Sequence, residues 1–447
     1  MKRKNMARVG VLLLFLMSLM VTRGRAAEMS LNDAVDTAIK QNPTVAESSR
    51  KINASAAKYE QAVGTFLPSL SISGNYGDSY TQPSTVQVVI PSPSGETTQN
   101  FTMGSNRTQV GKGYQGNINQ AIYVPALFPS LRIAKKGLEI SLEEYRKIVI
   151  DTTYNATQAF FSVIMAEKSK ELAEESEQMA KMHYDQVQAM LNAGTSTKAD
   201  LLRSAVEVAN YKVSIIQAQN SIDISKDNFN NVLGRDLLLP VDLKNEGFNG
   251  TVESIVGYDE LLKLAFKNRP EWLQFLWLMG IGEDSIDLAR TGALPNVTVS
   301  GQAGKRATND SVISTDVNSW AVTGAVAWTL FDGFGTWNRV KEAAENYEAQ
   351  KDKEVQLRNN ITLEVRNAYL NLIAALEVVK ANQAAVDSAQ ESFQVYTSRY
   401  KAGVATNIDV IDAQVALTQA LYNQLKALFA VETSKAKLNQ VTGSKLY

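Results

Sequence analysis

Apolar residues along this chain follow two periods, in alternating blocks. Over Trp320-x-Val322-x-Gly324-x-Val326-x-Trp328-x-Leu330 every second position is apolar or glycine, the signature of a strand with one apolar face. Val297-x-Val299-x-Gly301-x-Ala303 reads as its partner. Upstream, Leu70-x-Ile72-x-Gly74-x-Tyr76 and Tyr114-x-Gly116-x-Ile118-x-Gln120-x-Ile122 repeat the pattern. Two strand pairs are predicted, near 68–82/108–124 and 295–307/317–331, giving four strands per chain. The runs from Leu138 to Ala193 and from Thr336 to Ala402 contain neither Gly nor Pro and are rich in good helix formers. They predict helices at about 130–192 and 336–401. At ~1.5 Å per residue each would be roughly 90–100 Å long, a length that coiled coils need and ordinary globular domains do not.

Each long helix ends in a glycine turn, Asn192-Ala-Gly-Thr-Ser196 or Lys401-Ala-Gly-Val-Ala405, where Gly can take a positive φ. Thr197-x-x-Asp200 and Thr406-x-x-Asp409 then open the return helices, about 197–233 and 406–442, with capping-box spacing. Small residues among the apolar ones on the second return helix (Ala413, Ala416, Ala420) would let neighbouring helices interlock. A shorter helix precedes each strand pair, at about 31–64 and 258–291, and would stack end to end with the return helix.

The blocks are copies of one unit. Leu31-Asn-Asp-Ala-Val-Asp-Thr-Ala-Ile-Lys-Gln-Asn-Pro43 realigns on Tyr258-Asp-Glu-Leu-Leu-Lys-Leu-Ala-Phe-Lys-Asn-Arg-Pro270, and Leu67-Pro68 on Leu294-Pro295 in the same register. After a polar insertion between about Gln82 and Arg107, a second register aligns Ala159 with Ala368, Gly194 with Gly403, Asp200 with Asp409 and Gly234 with Gly443. Two repeats follow, 27–234 and 258–447, joined by a segment at 235–257.

Composition narrows the setting. Lys2, Arg3, Lys4 and Arg8 precede the apolar run Val9–Val21, and Gly24-Arg25-Ala26 follows as a small-x-small site, so residues 1–26 read as a cleaved export signal. Its removal takes away those four cations with Arg23 and Arg25, and moves the formal net charge from -1 to -7. A mildly acidic mature chain without a basic patch argues against nucleic acid as a partner. The chain has no Cys, hence no disulfide and no residue for an N-terminal lipid anchor. No later apolar run reaches membrane-spanning length, so a membrane-embedded form would have to use strands. Tyr80, Tyr114, Tyr123, Trp320 and Trp328 lie towards strand ends, as in an interfacial aromatic girdle; in a soluble sheet the same residues would mark a core. Four strands cannot close a transmembrane barrel, for which about eight is the minimum, so the chain would have to oligomerise.

In order, Asn42-Pro43, Leu67-Pro68, Trp328-x-Leu330-Phe331-Asp332-Gly333 and Ala402-Gly403-x-x-Thr406-x-x-Asp409-Val-Ile-Asp412-Ala413 resemble the TolC-type outer membrane efflux proteins over nearly all of the mature chain. The resemblance implies a mixed α and β membrane fold, with a periplasmic α-helical barrel and a transmembrane β-barrel completed by a homotrimer in the cell outer membrane. It implies an exit duct working with a periplasmic adaptor and an inner-membrane efflux transporter. A type I protein-secretion channel is a variant of the same duct, and a soluble periplasmic coiled-coil adaptor is the competing class. By the same resemblance Asp409 and Asp412 fall on the family's periplasmic constriction, Asp200 on a third gate aspartate, and Tyr400 on a closing tyrosine expected beside Asp200. The family's arginine two residues after the turn glycine is here Ala405.

Asp200 and Asp409 also have a local explanation as capping acids, whereas Asp412 lies a turn further in on the same face, where capping does not need it. The single His, His183, sits in a charged helical run and reads as solvated. There is no phosphate loop, nucleophile elbow or metal-ligand constellation, so neither an enzyme nor a cofactor is expected.

Overall fold

The computed structural model describes residues 28–93, 95–104, 106–245, 248, 250, 254–310 and 314–447. The export-signal reading of residues 1–26 lies outside the described residues. Element order is α1 (Leu31–Gln41), α2 (Pro43–Gly64), β1 (Ser69–Thr81), β2 (Ser84–Ser92), β3 (Gly95–Met103), β4 (Arg107–Tyr123), α3 (Leu127–Asn192) and α4 (Lys198–Leu233). After the linker come α5 (Tyr258–Asn268), α6 (Pro270–Arg290), β5 (Asn296–Asp310), β6 (Ser314–Ala327), α7 (Gly335–Lys401) and α8 (Asn407–Thr442). The chain divides into two compact units, one of residues up to Ile52 with Ser141–Phe275 and Glu354–Tyr447, the other of Asn53–Ile140 with Leu276–Lys353.

The helix expected before each strand pair is two helices. Asn42 and Arg269, each followed by Pro, take extended ψ values of 124° and 121°. The proline ring crowds the preceding residue out of the helical region, and this breaks the helix in both repeats.

In the first unit each repeat has its own core, and the two cores obey the sequence register. Ala34, Ala38, Ala156, Ala159, Val163 and Phe229 are buried in one, and their counterparts Leu261, Ala265, Val365, Ala368, Leu372 and Leu438 in the other. Volume is exchanged between positions: repeat one places Phe160 and Phe161 where repeat two has Tyr369 and Leu370, and uses Ala156 where repeat two has Val365. Gly234 and Gly443 end α4 and α8 in the left-handed conformation, φ 73° and 64°. A Cβ on Gly443 would lie 2.9 Å from the carbonyl oxygen of Asn268, and one on Gly234 would lie 2.6 Å from that of Gln41. Each helix end is thus packed on the proline break of its own repeat. Gly443→Ala should therefore lose about 1–3 kcal/mol from left-handed strain, with the clash added, and lower the melting temperature followed by helical dichroism in detergent. Gly194→Ala, also at positive φ but with open space around it, is the control and should lose less.

In the second unit β1, β4, β5 and β6 form one antiparallel sheet in the order β1-β4-β5-β6. Residues paired across such a sheet share a face. One face carries Leu70, Ile72, Tyr76, Tyr114, Ile118, Val299, Trp320, Val322 and Val326, and the other carries Ser71, Ser73, Asn117, Gln115, Gln302, Ser300 and Thr323. On the polar face Gln115 Nε2 donates to Gln302 Oε1 at 3.0 Å. A second, two-stranded sheet, β2 with β3, occupies the insertion that the sequence reading left as a polar stretch. Its alternation, Val86-x-Val88-x-Ile90 against Thr97-x-Gln99-x-Phe101, is masked by the surrounding Ser, Pro, Thr and Gly.

Also in this unit, Asp284 is buried between two cations of α3, with Arg132 Nε at 2.6 Å and Lys136 Nζ at 2.8 Å. Burial raises its carboxyl, but the bonds from Lys136 and Arg132 outweigh this and hold it below the ordinary 3.8. Among the described residues no helix is long and apolar enough to cross a membrane.

Candidate functional site

Both hairpin tips are built the same way. After α3, Gly194 (φ 75°) donates to Leu191 O and Thr195 N to Met190 O; after α7, Gly403 (φ 72°) donates to Tyr400 O and Val404 N to Arg399 O. These bonds satisfy the last helical carbonyls and turn the chain sharply. Both return helices then open with complete capping boxes. Thr197 Oγ1 lies 2.6 Å from Asp200 Oδ2, and Thr406 Oγ1 lies 2.7 Å from Asp409 Oδ2. The hydroxyl and then the backbone N–H of Thr406, with Arg399 nearby, hold the Asp409 carboxyl below its ordinary 3.8. Capping acids at a helix N-terminus are favoured by the dipole as well. Asp200 and Asp409 therefore both perform the local role. Asp412, exposed and one turn into α8, has no hydrogen bond or ion pair among the described residues.

Tyr400, expected by the resemblance beside Asp200, packs against the neighbouring Leu201. It is 6% exposed in an apolar cluster with Val187, Leu201 and Val410, against which Ala405 is half-buried. Its hydroxyl has no hydrogen-bond partner among the described residues. Where the family pattern has arginine this chain has the methyl group of Ala405, and the contacts at this point are apolar. Tyr400 contributes here as a ring, in edge contact with His183 at 5.3 Å between centroids.

His183 is a correction to the sequence reading. It is 6% exposed rather than solvated. Its Nε2 lies 2.7 Å from Asn407 Oδ1, and burial pushes the imidazole below its ordinary 6.5 despite that bond. The run Lys181-Met-His-Tyr-Asp185 gave no sign of which face would be covered, because coverage comes from α8, some two hundred residues on.

In the other unit, the aromatics singled out from the sequence are all exposed, Trp320 at 79%, with Tyr80, Tyr114, Tyr123 and Trp328 likewise. A register shift in β4 between Ala121 and Tyr123 turns Tyr123 onto the apolar face beside Val297. Trp328, just past β6, donates its indole N–H to Ala293 O at 3.0 Å. Of the exposed aromatics that follow Trp328 within ten residues, the sequence reading used Phe331 only as part of a motif and missed Phe334 and Trp337. Their density was the available signal. Asp332, between them, accepts from Thr336 N at 2.7 Å and Thr336 Oγ1 at 2.6 Å and so starts α7.

Paired helical hairpins together with a four-stranded sheet, exposed on an apolar and a polar face and unpaired at both edges, define the protomer of a membrane channel. The sequence pattern described as "Outer membrane efflux protein" matches residues 34–235 and 261–444, and the chain belongs to that family. Outer membrane protein TolC of Escherichia coli (strain K12) is 21% identical over 417 residues, 89% of this chain and 80% of that one. Alkaline protease secretion protein AprF of Pseudomonas aeruginosa is 21% identical over 434 residues, 95% of this chain and 86% of its own. A crystal structure of CusC shares the fold with a TM-score of 0.78 at 16% identity, covering 94% of this chain and 93% of that one. The protein is thus an outer membrane efflux channel with a large periplasmic part, of mixed α and β fold, and the family's members are channels.

Proposed function

We propose that the chain forms a homotrimeric exit duct of a tripartite system, passing substrates received from an inner-membrane transporter and a periplasmic adaptor to the exterior. The observation that carries this reading is the four-stranded sheet. An apolar face exposed along its whole length has no place in water, and β1 and β6 present unpaired backbone groups that lipid cannot satisfy. Three copies supply twelve strands, enough to close a barrel, with the Gln- and Ser-rich face towards the lumen. A soluble adaptor would have no use for such a face, and the chain is read as a passive duct rather than an enzyme. Export of a protein substrate is the second reading, favoured by the likeness to AprF along 95% of the chain.

In this reading residues 1–26 are the export signal, the two repeats span 27–234 and 258–447, and 235–257 contributes an equatorial segment. Asp409 and Asp412, with Asp200 close by, surround the periplasmic constriction, Tyr400 packs it shut from behind, and the five strand-end aromatics lie at the membrane interfaces. Membrane fractionation followed by reconstitution tests the proposal: the protein should be recovered with outer membranes and give a steady low conductance in planar bilayers. Recovery in the soluble periplasm would end it.

A further inference from the structure

Asn407, the first residue of α8, is held by three groups of the first-repeat hairpin. Its Nδ2 donates to the backbone carbonyl of Asp200 at 3.1 Å. Because that carbonyl can only accept, the amide orientation is fixed, and Oδ1 faces His183 Nε2 at 2.7 Å and Ser204 Oγ at 3.2 Å. His183 therefore donates to Asn407 from Nε2. Its Nδ1 is buried without a hydrogen-bond partner among the described residues. Asn407 is 3% exposed and Ser204 1%, so the set is closed to water.

The repeat register shows that the fold does not require this set. The positions equivalent to His183, Ser204 and Asn407 are Ser392, Ala413 and Lys198, which cannot reproduce it. The polar cross-link exists on one side of the duplication only, one residue beyond the Thr406 cap and just ahead of Asp409 and Asp412.

We propose that His183 and Asn407 are positioning residues of the constriction, a latch that holds the start of α8 against α3 and α4 and is released when His183 is protonated. This rests on the duct reading above. Protonation would place a second N–H, on Nδ1, in a closed site with no acceptor, and bury a positive charge. The ionisable groups on the surrounding elements offer no compensation. Asp200 on α4 and Asp409 on α8 are engaged with Thr197 and Thr406. Tyr184 on α3 and Tyr396 on α7 belong to the neighbouring apolar cluster, Arg399 on α7 would repel the new charge, and Tyr400 meets the ring without accepting from it. The sign follows: the latched state holds the imidazole below 6.5, so it binds fewer protons than the released state. Latching is complete above the ordinary value and weakens as pH falls below it, by up to about ten-fold per pH unit in each protomer.

The experiment compares the reconstituted wild type with His183→Gln and Asn407→Ala between pH 7.5 and 5.5. Resting conductance of the wild type should rise as pH falls. His183→Gln keeps an N–H donor but cannot titrate, and should stay near the wild-type pH 7.5 level throughout. Asn407→Ala should be raised already at pH 7.5 and flat. In parallel, amide exchange of residues 408–413, corrected for intrinsic pH dependence, reads the latch without conduction: protection should fall with pH in the wild type and not in His183→Gln. An identical pH profile in wild type and His183→Gln, by either readout, overturns the latch. A wild type that never conducts refutes the duct, and the exchange profile still decides the latch.

Discussion

Replacing Asp409 and Asp412 together by Ala is expected to abolish block of the duct by multivalent cations added from the periplasmic side of a planar bilayer. In the proposed trimer these positions would place up to six carboxylates around one narrowing, following α8 as it leaves the tip. Like charges about 8 Å apart repel by roughly 0.5 kcal/mol per pair even at the dielectric of water, and more in a protein-lined constriction. A multivalent cation relieves several such pairs at once, which is why it should bind there. The Asp409 carboxylate, held ionised by Thr406, keeps its charge well into acid, so block should persist until pH falls through the carboxylate range and then disappear. The two residues can also be told apart. Asp409→Ala removes the acid half of the capping box and should loosen the start of α8, whereas Asp412→Ala has no hydrogen bond to lose among the described residues. If Asp412→Ala alone removes most of the block without changing stability, it is the chief cation ligand. Unchanged block in the double variant would leave capping as the whole role of Asp409 and no role for Asp412 in the constriction.

What the sequence revealed and what it hid divide along a physical line. Wherever a position matters because of its own backbone, it was legible. The turn glycines Gly194 and Gly403 and the boxes Thr197–Asp200 and Thr406–Asp409 appear as read, and the period-two segments form strands, although β6 ends at Ala327, ahead of the Trp328 and Leu330 read as its last positions. The duplication multiplied this, since each copy checked the other. The broken helices at Asn42 and Arg269 were equally local, and the Pro that follows each was the overlooked signal. What stayed hidden depends on which helix covers which. His183 lies on a 66-residue helix whose apolar residues serve several neighbours in turn, so no single face stands out. Its burial is decided by Asn407, and a polar contact between residues so far apart leaves no periodic trace. The apolar cluster that Tyr400 joins draws one residue from each of α3, α4 and α8, and is hidden for the same reason.

The remaining large effect concerns the sheet. In detergent the purified protein should have the mass of three chains by light scattering, and Val322→Arg should sharply reduce recovery of that trimer from membranes while Thr323→Arg does not. The two neighbours are both exposed in β6 and differ in face: Val322 pairs with Gly301 on the apolar side, Thr323 with Ser300 on the polar side. An arginine facing lipid near the bilayer midplane costs about 2–4 kcal/mol, and three-fold symmetry repeats that cost in each chain; one facing a water-filled lumen costs far less. Because β1 and β6 are the unpaired edges, a barrel that fails to insert leaves both edges unsatisfied, and loss of membrane stability and loss of the trimer should occur together. A soluble sheet covered by a partner protein would also dislike Val322→Arg, but it would give a monodisperse monomer in the absence of that partner. Such a monomer, or equal recovery of the two variants, would count decisively against a barrel built from four strands per chain.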